Sequence, residues 1–157
     1  SRLNKSLLLL SKIENKQFNE IQEVNMNSLV QDFFRNYQEQ IKFKNIELQT
    51  QLADFFILKI DLSLAEILVG NLPLNALKYA PKNSIVEVFF TEKEMRISNE
   101  AEHLALDKNK LFKRFQRQSN QENSTGLGLE IARKIAVSFG FRLHYEFQKG
   151  RHYFILR

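Results

Sequence analysis

Apolar positions along the 157-residue chain change their period several times, and each change predicts an element. Leu3, Leu7 and Leu10 recur at steps of four and three, with Leu8 and Ile13 widening the stripe, so Arg2 to Asn15 reads as an amphipathic helix without an evident packing partner. Glu20 to Val24 reads as a short strand. The run "NMNSLVQDFFRNYQEQIKFKN" reads as a second helix, with Asn25 or Asn27 as N-cap and Leu29, Val30, Phe33, Phe34, Tyr37 and Ile41 on its buried side.

"IELQTQL" alternates like a half-buried strand and "FFILKID" follows across Ala53 and Asp54, which predicts two neighbouring strands. A mostly apolar helix comes next, from Leu62 to Tyr79, stopped by Pro81 and Asn83. "SIVEVFF" and "EMRIS" predict another strand pair across Thr91 to Lys93, and Glu100 to Lys110 reads as a loop with some helix. "QRQSNQENSTG" has no apolar anchor and reads as a solvated, mobile stretch before a helix from Leu127 to Phe139. "FRLHYEF" and "RHYFILR" flank Gln148 to Gly150 as a closing hairpin. Mixed strands and helices with adjacent antiparallel pairs favour α+β layers over a doubly wound sheet.

Composition narrows the classes. With 43% hydrophobic residues the chain carries enough apolar side chains for one domain with a core. It has no cysteine, which excludes a disulfide framework and a thiolate metal site. The leucine run Leu7 to Leu10 is far shorter than the ~20 residues of a membrane span. The formal charge of +5 suits a polyanion, but lysines and arginines are scattered among acids, so nucleic-acid binding rests on net charge alone and is not expected. His103, His144 and His152 have no helical ligand spacing.

Two constellations carry chemistry. Asn71, Asn75 and Lys78 stand at i, i+4 and i+7, forming one polar stripe on an otherwise apolar helix. A single such asparagine is an ordinary satisfied core amide. Three polar groups among Leu68, Leu72 and Leu77 would cost about 1 to 3 kcal/mol each if left unpaired. A polyanionic ligand with a hard cation satisfies all three, because an amide oxygen suits Mg²⁺ and the ammonium suits phosphate. The second constellation is "STGLGLEIARKIA", where Gly126 and Gly128 open a helix whose N–H groups are free to face phosphate. Alone, that glycine pair reads first as a loop hinge before a helix N-terminus, and only its pairing with the asparagine stripe favours a phosphate site.

Together these segments resemble the sensor histidine kinases of two-component systems. "EILVGNLPLNALKYAP" is similar to the family's asparagine box, "LFKRFQR" to its phenylalanine box and "TGLGLEIARKIA" to its second glycine box, in the family's order. "RLNKSLLLLSKIENKQF" resembles the end of the second dimerisation helix. The resemblance implies a two-layer α/β sandwich of the histidine kinase-like ATPase type, a mixed sheet backed by helices. It places residues 1–18 at the end of the dimerisation and phosphoacceptor domain, and residues 19–157 in the catalytic ATP-binding domain, with a lid at about 116–125.

By the same resemblance Asn75 holds Mg²⁺, Asn71 supports the metal and phosphates, Lys78 contacts phosphate and Tyr79 packs beside the nucleotide. Arg114 and Arg117 approach the terminal phosphates, Phe112 and Phe115 anchor the lid, and Thr125, Gly126, Leu127, Gly128 and Leu129 complete the ATP site. The family's Asp-x-Gly-x-Gly box is altered in "MRISNEAEH": Asn99 takes the Asp position, and Ala101 and His103 stand where glycines are usual. The amide oxygen of Asn99 can still accept a hydrogen bond from the adenine amino group. Ala and His disfavour positive φ. Pro73 is expected to kink or loosen its helix, and Ser124 stands where a further glycine is common.

The activity implied is an ATP- and Mg²⁺-dependent protein-histidine kinase acting on a histidine upstream of residue 1. Its partners are its own dimerisation domain in a homodimeric parent and a response regulator. The expected location is the cytoplasmic part of a membrane-anchored bacterial sensor. Two rivals stand beside it: a degenerate module that keeps the fold and signals by docking, and an anti-sigma-factor serine kinase of the same superfamily, against which the leading leucine helix argues.

Overall fold

The computed structural model describes residues 2–53, 55–102, 105, 112 and 127–157. Its elements run α1 (Arg2–Glu14), β1 (Ile21–Asn25), α2 (Met26–Asn36), α3 (Gln38–Phe43), β2 (Glu47–Gln51), β3 (Ile57–Asp61), α4 (Leu62–Tyr79), β4 (Ile85–Phe90), β5 (Met95–Glu100), α5 (Gly128–Ser138), β6 (Leu143–Gln148) and β7 (Arg151–Leu156). A five-stranded sheet in the order β2-β4-β5-β7-β6 lies under the helices, and β1 pairs with β3 in a separate two-stranded sheet. This mixed sheet backed by helices is the α+β sandwich expected from the sequence.

Alternation along the strands builds the core. Val88, Ile97, Phe154 and Tyr145 form one cross-strand row, and Phe90, Met95, Leu156 and Leu143 form the next, all buried beneath the helices. α4 packs over this face between α2 and α5. Its Leu68, Leu72 and Leu77 are at most 2% exposed, and each such burial stabilises by about 1.5 to 3 kcal/mol. The closing hairpin turns on Lys149 and Gly150, both at positive φ (50° and 72°), as a tight turn matching strand twist requires.

Three expectations are corrected. The segments 46–52 and 55–61 are not neighbouring strands: β2 pairs parallel with β4, Glu47 opposite Ile85, while β3 pairs antiparallel with β1. A parallel pair needs a crossover, and β3 followed by α4 forms that connection. The second helix is divided, because Tyr37 leaves the helical conformation (φ −107°, ψ 18°) and ends α2 before α3 begins. Its ring lies flat on Phe33, with centroids 4.4 Å apart. α1, finally, has a partner: Leu10 and Ile13 are buried, Glu14 accepts from Lys134 at 2.8 Å, and Phe18 meets Phe139 at 4.7 Å, so α1 lies on α5.

Pro73 does not interrupt α4, which runs through it from Leu62 to Tyr79 with the ring buried. Asn25 is the N-cap of α2; its side chain accepts from the N–H of Asn27 at 3.2 Å.

Candidate ATP-binding site

Both ends of α4 are held by charged side chains. At the start, Asp61 accepts from the N–H of Leu64 at 3.2 Å and from those of Asn19 and Glu20 at 3.3 Å. Burial opposes ionisation of this carboxyl, but backbone donors from Leu64, Glu20, Asn19 and Ser63 outweigh it and hold the group below its ordinary 3.8. At the far end, the Lys44 ammonium donates to the carbonyls of Leu77 (2.8 Å), Lys78 (3.0 Å) and Ala80 (2.8 Å). A cation there satisfies the orphan carbonyls and complements the helix dipole.

Between these anchors lies the polar stripe. Asn71, Asn75 and Lys78 are half-buried and Tyr79 is exposed. The Lys78 ammonium sits 5.5 Å from the Tyr79 ring centroid. Neither Asn71 nor Asn75 has a side-chain hydrogen bond among the described residues, although α2 and α5 flank their helix.

The start of α5 comes up against this stripe. A Cβ built on Gly128 would lie 2.9 Å from Asn71 Oδ1, so the asparagine amide occupies the space a side chain at 128 would need. The two constellations, 57 positions apart by their numbers 71 and 128, therefore meet in space. Leu127 is fully buried beneath this junction and Leu129 is half-buried. Phe112 packs against the core, with the Arg133 guanidinium 5.3 Å over its ring.

Asn99 is buried on β5, in a cross-strand row with Val86 and His152. Its Nδ2 donates to the Glu100 carbonyl at 3.0 Å, which leaves Oδ1 as the remaining acceptor. Two residues on, Ala101 stands where a glycine is usual. Among the described residues, the non-glycine positions at positive φ are Lys16, Asn45, Asn83 and Lys149. Ala101 thus holds an ordinary backbone, and its N–H extends the sheet to Gly150 O at 2.9 Å. His152 is buried, which pushes its imidazole below 6.5, and Nδ1 contacts the Tyr145 hydroxyl at 2.7 Å.

Arg114, Arg117, Phe115, Thr125, Gly126, His103, Ser124 and the expected lid lie outside the described residues. Sequence reasoning missed Asp61 and Lys44. An Asp before an apolar helix is a readable N-cap signal. Lys44 had none, since its acceptors stand 33 to 36 residues later.

The donor set fits a nucleotide with a hard cation: two neutral amide oxygens and an ammonium on one face, beside the glycine that opens α5. Among the described residues there is no cluster of three or more His, Cys, Asp or Glu that could hold a metal by itself.

Fold and sequence together define the class. Residues 60–157 match the family described as histidine kinase-, DNA gyrase B-, and HSP90-like ATPase, and the chain belongs to it. Within it the chain is similar to sensor kinases. It is 34% identical over 142 residues to the heme sensor protein HssS of Staphylococcus epidermidis (86% of this chain, 31% of that protein). It is 30% identical over 156 residues to the sensor protein kinase PmrB of Pseudomonas aeruginosa (89% of this chain, 31% of that protein). The chain thus spans about a third of the length of the curated relatives it matches. The solved catalytic domain of histidine kinase ThkA superposes with a TM-score of 0.73 at 25% identity, covering 88% of this chain and 94% of that one.

Proposed function

We propose that this chain binds Mg²⁺-ATP and serves as the phosphoryl-donating part of a two-component sensor histidine kinase. One observation carries the reading: Asn71 and Asn75 are half-buried without side-chain hydrogen bonds among the described residues, and Asn71 meets the glycine that opens α5. The family and the sensor-kinase relatives support it.

In this reading Asn75 holds Mg²⁺, Asn71 orients the phosphates and metal, Lys78 neutralises phosphate charge and Tyr79 packs beside the nucleotide. Asn99 accepts from the adenine amino group. The backbone at Leu127, Gly128 and Leu129, with Thr125 and Gly126 before it, faces the phosphates, and Arg114 and Arg117 act on the terminal ones. These residues position the nucleotide and spread its charge, which is most of what phosphoryl transfer asks of a protein. Residues 1–18 belong to the dimerisation and phosphoacceptor domain and 19–157 to the catalytic domain, with residues 116–125 as a lid. The acceptor is a histidine of the dimerisation domain. The parent is a membrane-anchored homodimer whose cytoplasmic part passes the phosphoryl group to a response regulator. No described helix is long and apolar enough to cross a membrane.

Calorimetric titration with ADP and a non-hydrolysable ATP analogue, each with and without Mg²⁺, tests the reading. Micromolar binding that tightens with Mg²⁺ is the expected result. A folded chain that binds neither nucleotide would sink it in favour of a docking module.

A further inference from the structure

Lys44 stands outside every segment that resembles a nucleotide-binding box, yet it touches the helix that carries one of them. Its ammonium bonds three carbonyls at the end of α4, those of Leu77, Lys78 and Ala80. The backbone around it is fastened to the same place. Lys44 O accepts from Asn83 N at 2.9 Å, Asn45 Nδ2 donates to Asn83 Oδ1 at 2.9 Å, and Glu47 N donates to Ser84 O at 2.9 Å. Asn45 and Asn83 both hold positive φ, 51° and 60°, so two left-handed turns are joined side by side.

A third segment reaches this point. Ile85 N, next to Ser84, donates to Glu100 Oε1 at 3.2 Å, and burial, opposed by the Glu102 charge and aided by that of Lys82, pushes the Lys44 ammonium below 10.5. Glu102 follows Asn99 and Ala101 at the exit of β5. The turn after Lys78 and Tyr79, which Lys44 holds, is thus fastened through Ile85 to the end of the strand bearing Asn99.

We propose that Lys44 is a positioning residue of the nucleotide site, holding the Lys78–Tyr79 turn of α4 in register with the Asn99–Glu100 end of β5. This rests on the Mg²⁺-nucleotide reading above. Lys44 touches no substrate; it acts through the main chain of Lys78. Charge-assisted bonds are the strong kind, and three of them fix the direction in which the Lys78 side chain leaves the helix. A simple helix cap would add stability without caring what Lys78 does. A positioning residue is coupled to it.

A double-mutant cycle on Mg²⁺-ADP affinity separates the two, read at a temperature where circular dichroism shows native helix. Lys44→Met is expected to weaken binding about 10- to 30-fold, the scale of a lost charged hydrogen bond. Lys44→Arg should stay within about 3-fold of wild type, and Lys44→Met in a Lys78→Ala background should cost no more than about 3-fold further. Wild-type affinity in folded Lys44→Met overturns the proposal, as does a full, additive loss in the Lys78→Ala background. Should Lys44→Met not fold, Lys44→Gln keeps a neutral donor for the carbonyls, and about a 3- to 10-fold loss is expected; unchanged affinity there overturns the proposal equally. A wild-type chain that does not bind Mg²⁺-ADP overturns the nucleotide reading itself, an outcome that involves no Lys44 variant.

Discussion

α2 and α4 are neighbouring helices with opposite treatment of their polar residues. α2 is amphipathic: Val30 and Phe34 are buried, while Asp32 and Arg35 pair at 2.9 Å in solvent. α4 is apolar over most of its surface, yet holds Asn71 and Asn75 half-buried among leucines with no hydrogen bond among the described residues. Polar groups on α2 have water or a protein partner, as does the buried Asn27, which donates to the Ala53 carbonyl and accepts from Gln31 at 2.7 Å. The side chains of Asn71 and Asn75 on α4 are kept from much of the water and given no described protein partner. A helix whose polar residues serve folding puts them where water or a protein partner satisfies them. One that puts them elsewhere has another use for them.

The widest break in this contrast is Asn75→Ala. It should abolish the Mg²⁺-dependent part of nucleotide affinity, a loss of about 100-fold or more, with an unchanged urea midpoint; titration with and without Mg²⁺ checks it. Gly128→Ala should follow. The new Cβ displaces the Asn71 amide, the far end of a flexible side chain, so stability barely moves while Mg²⁺-ADP affinity drops about 10-fold.

Asp61→Ala removes the cap of α4 and should lower unfolding free energy by about 1 to 2 kcal/mol, read from urea curves. The Asp61 carboxyl titrates below 3.8 when folded, so its contribution is present above that pH and is lost as pH falls from 3.8 through the folded value. His152 moves stability at a milder pH. Its folded value lies below 6.5, so the unfolded chain takes up the proton first; stability present above 6.5 declines as pH falls toward the folded value. Urea midpoints between about pH 7.5 and 5.5 should show that slope, and His152→Phe should remove it. The smallest effect belongs to α2: Arg35→Ala breaks an exposed pair and should shift stability by at most about 0.5 kcal/mol.

Local pattern carried most of the element order. Periodicity marked α1, α2, α4 and α5, alternation marked β4 to β7, and Lys149–Gly150 marked the hairpin, because each signal is set by residues within one element. Pairing between distant segments was not legible. Nothing in 46–61 tells β2 to join β4 and β3 to join β1, since the choice depends on where α4 travels. The break at Tyr37 was equally hidden, a stacking contact with Phe33 overriding an unbroken helical period. At the candidate site, the stripe of Asn71, Asn75 and Lys78 could be read from spacing alone. Its anchor Lys44 could not, for its bonds cross the fold.

The parallel union of β2 with β4 also sets an order of events in time. Glu47 can meet Ile85 only after the chain between them has doubled back through β3 and α4, and contacts so remote in sequence form late in folding. Among the described strands β2 is also an edge of the sheet, with β4 beside it. The strand that follows Lys44 is therefore expected to be among the last to assemble and the first to exchange its amide hydrogens, so the asparagine helix is complete before its outermost strand is secured.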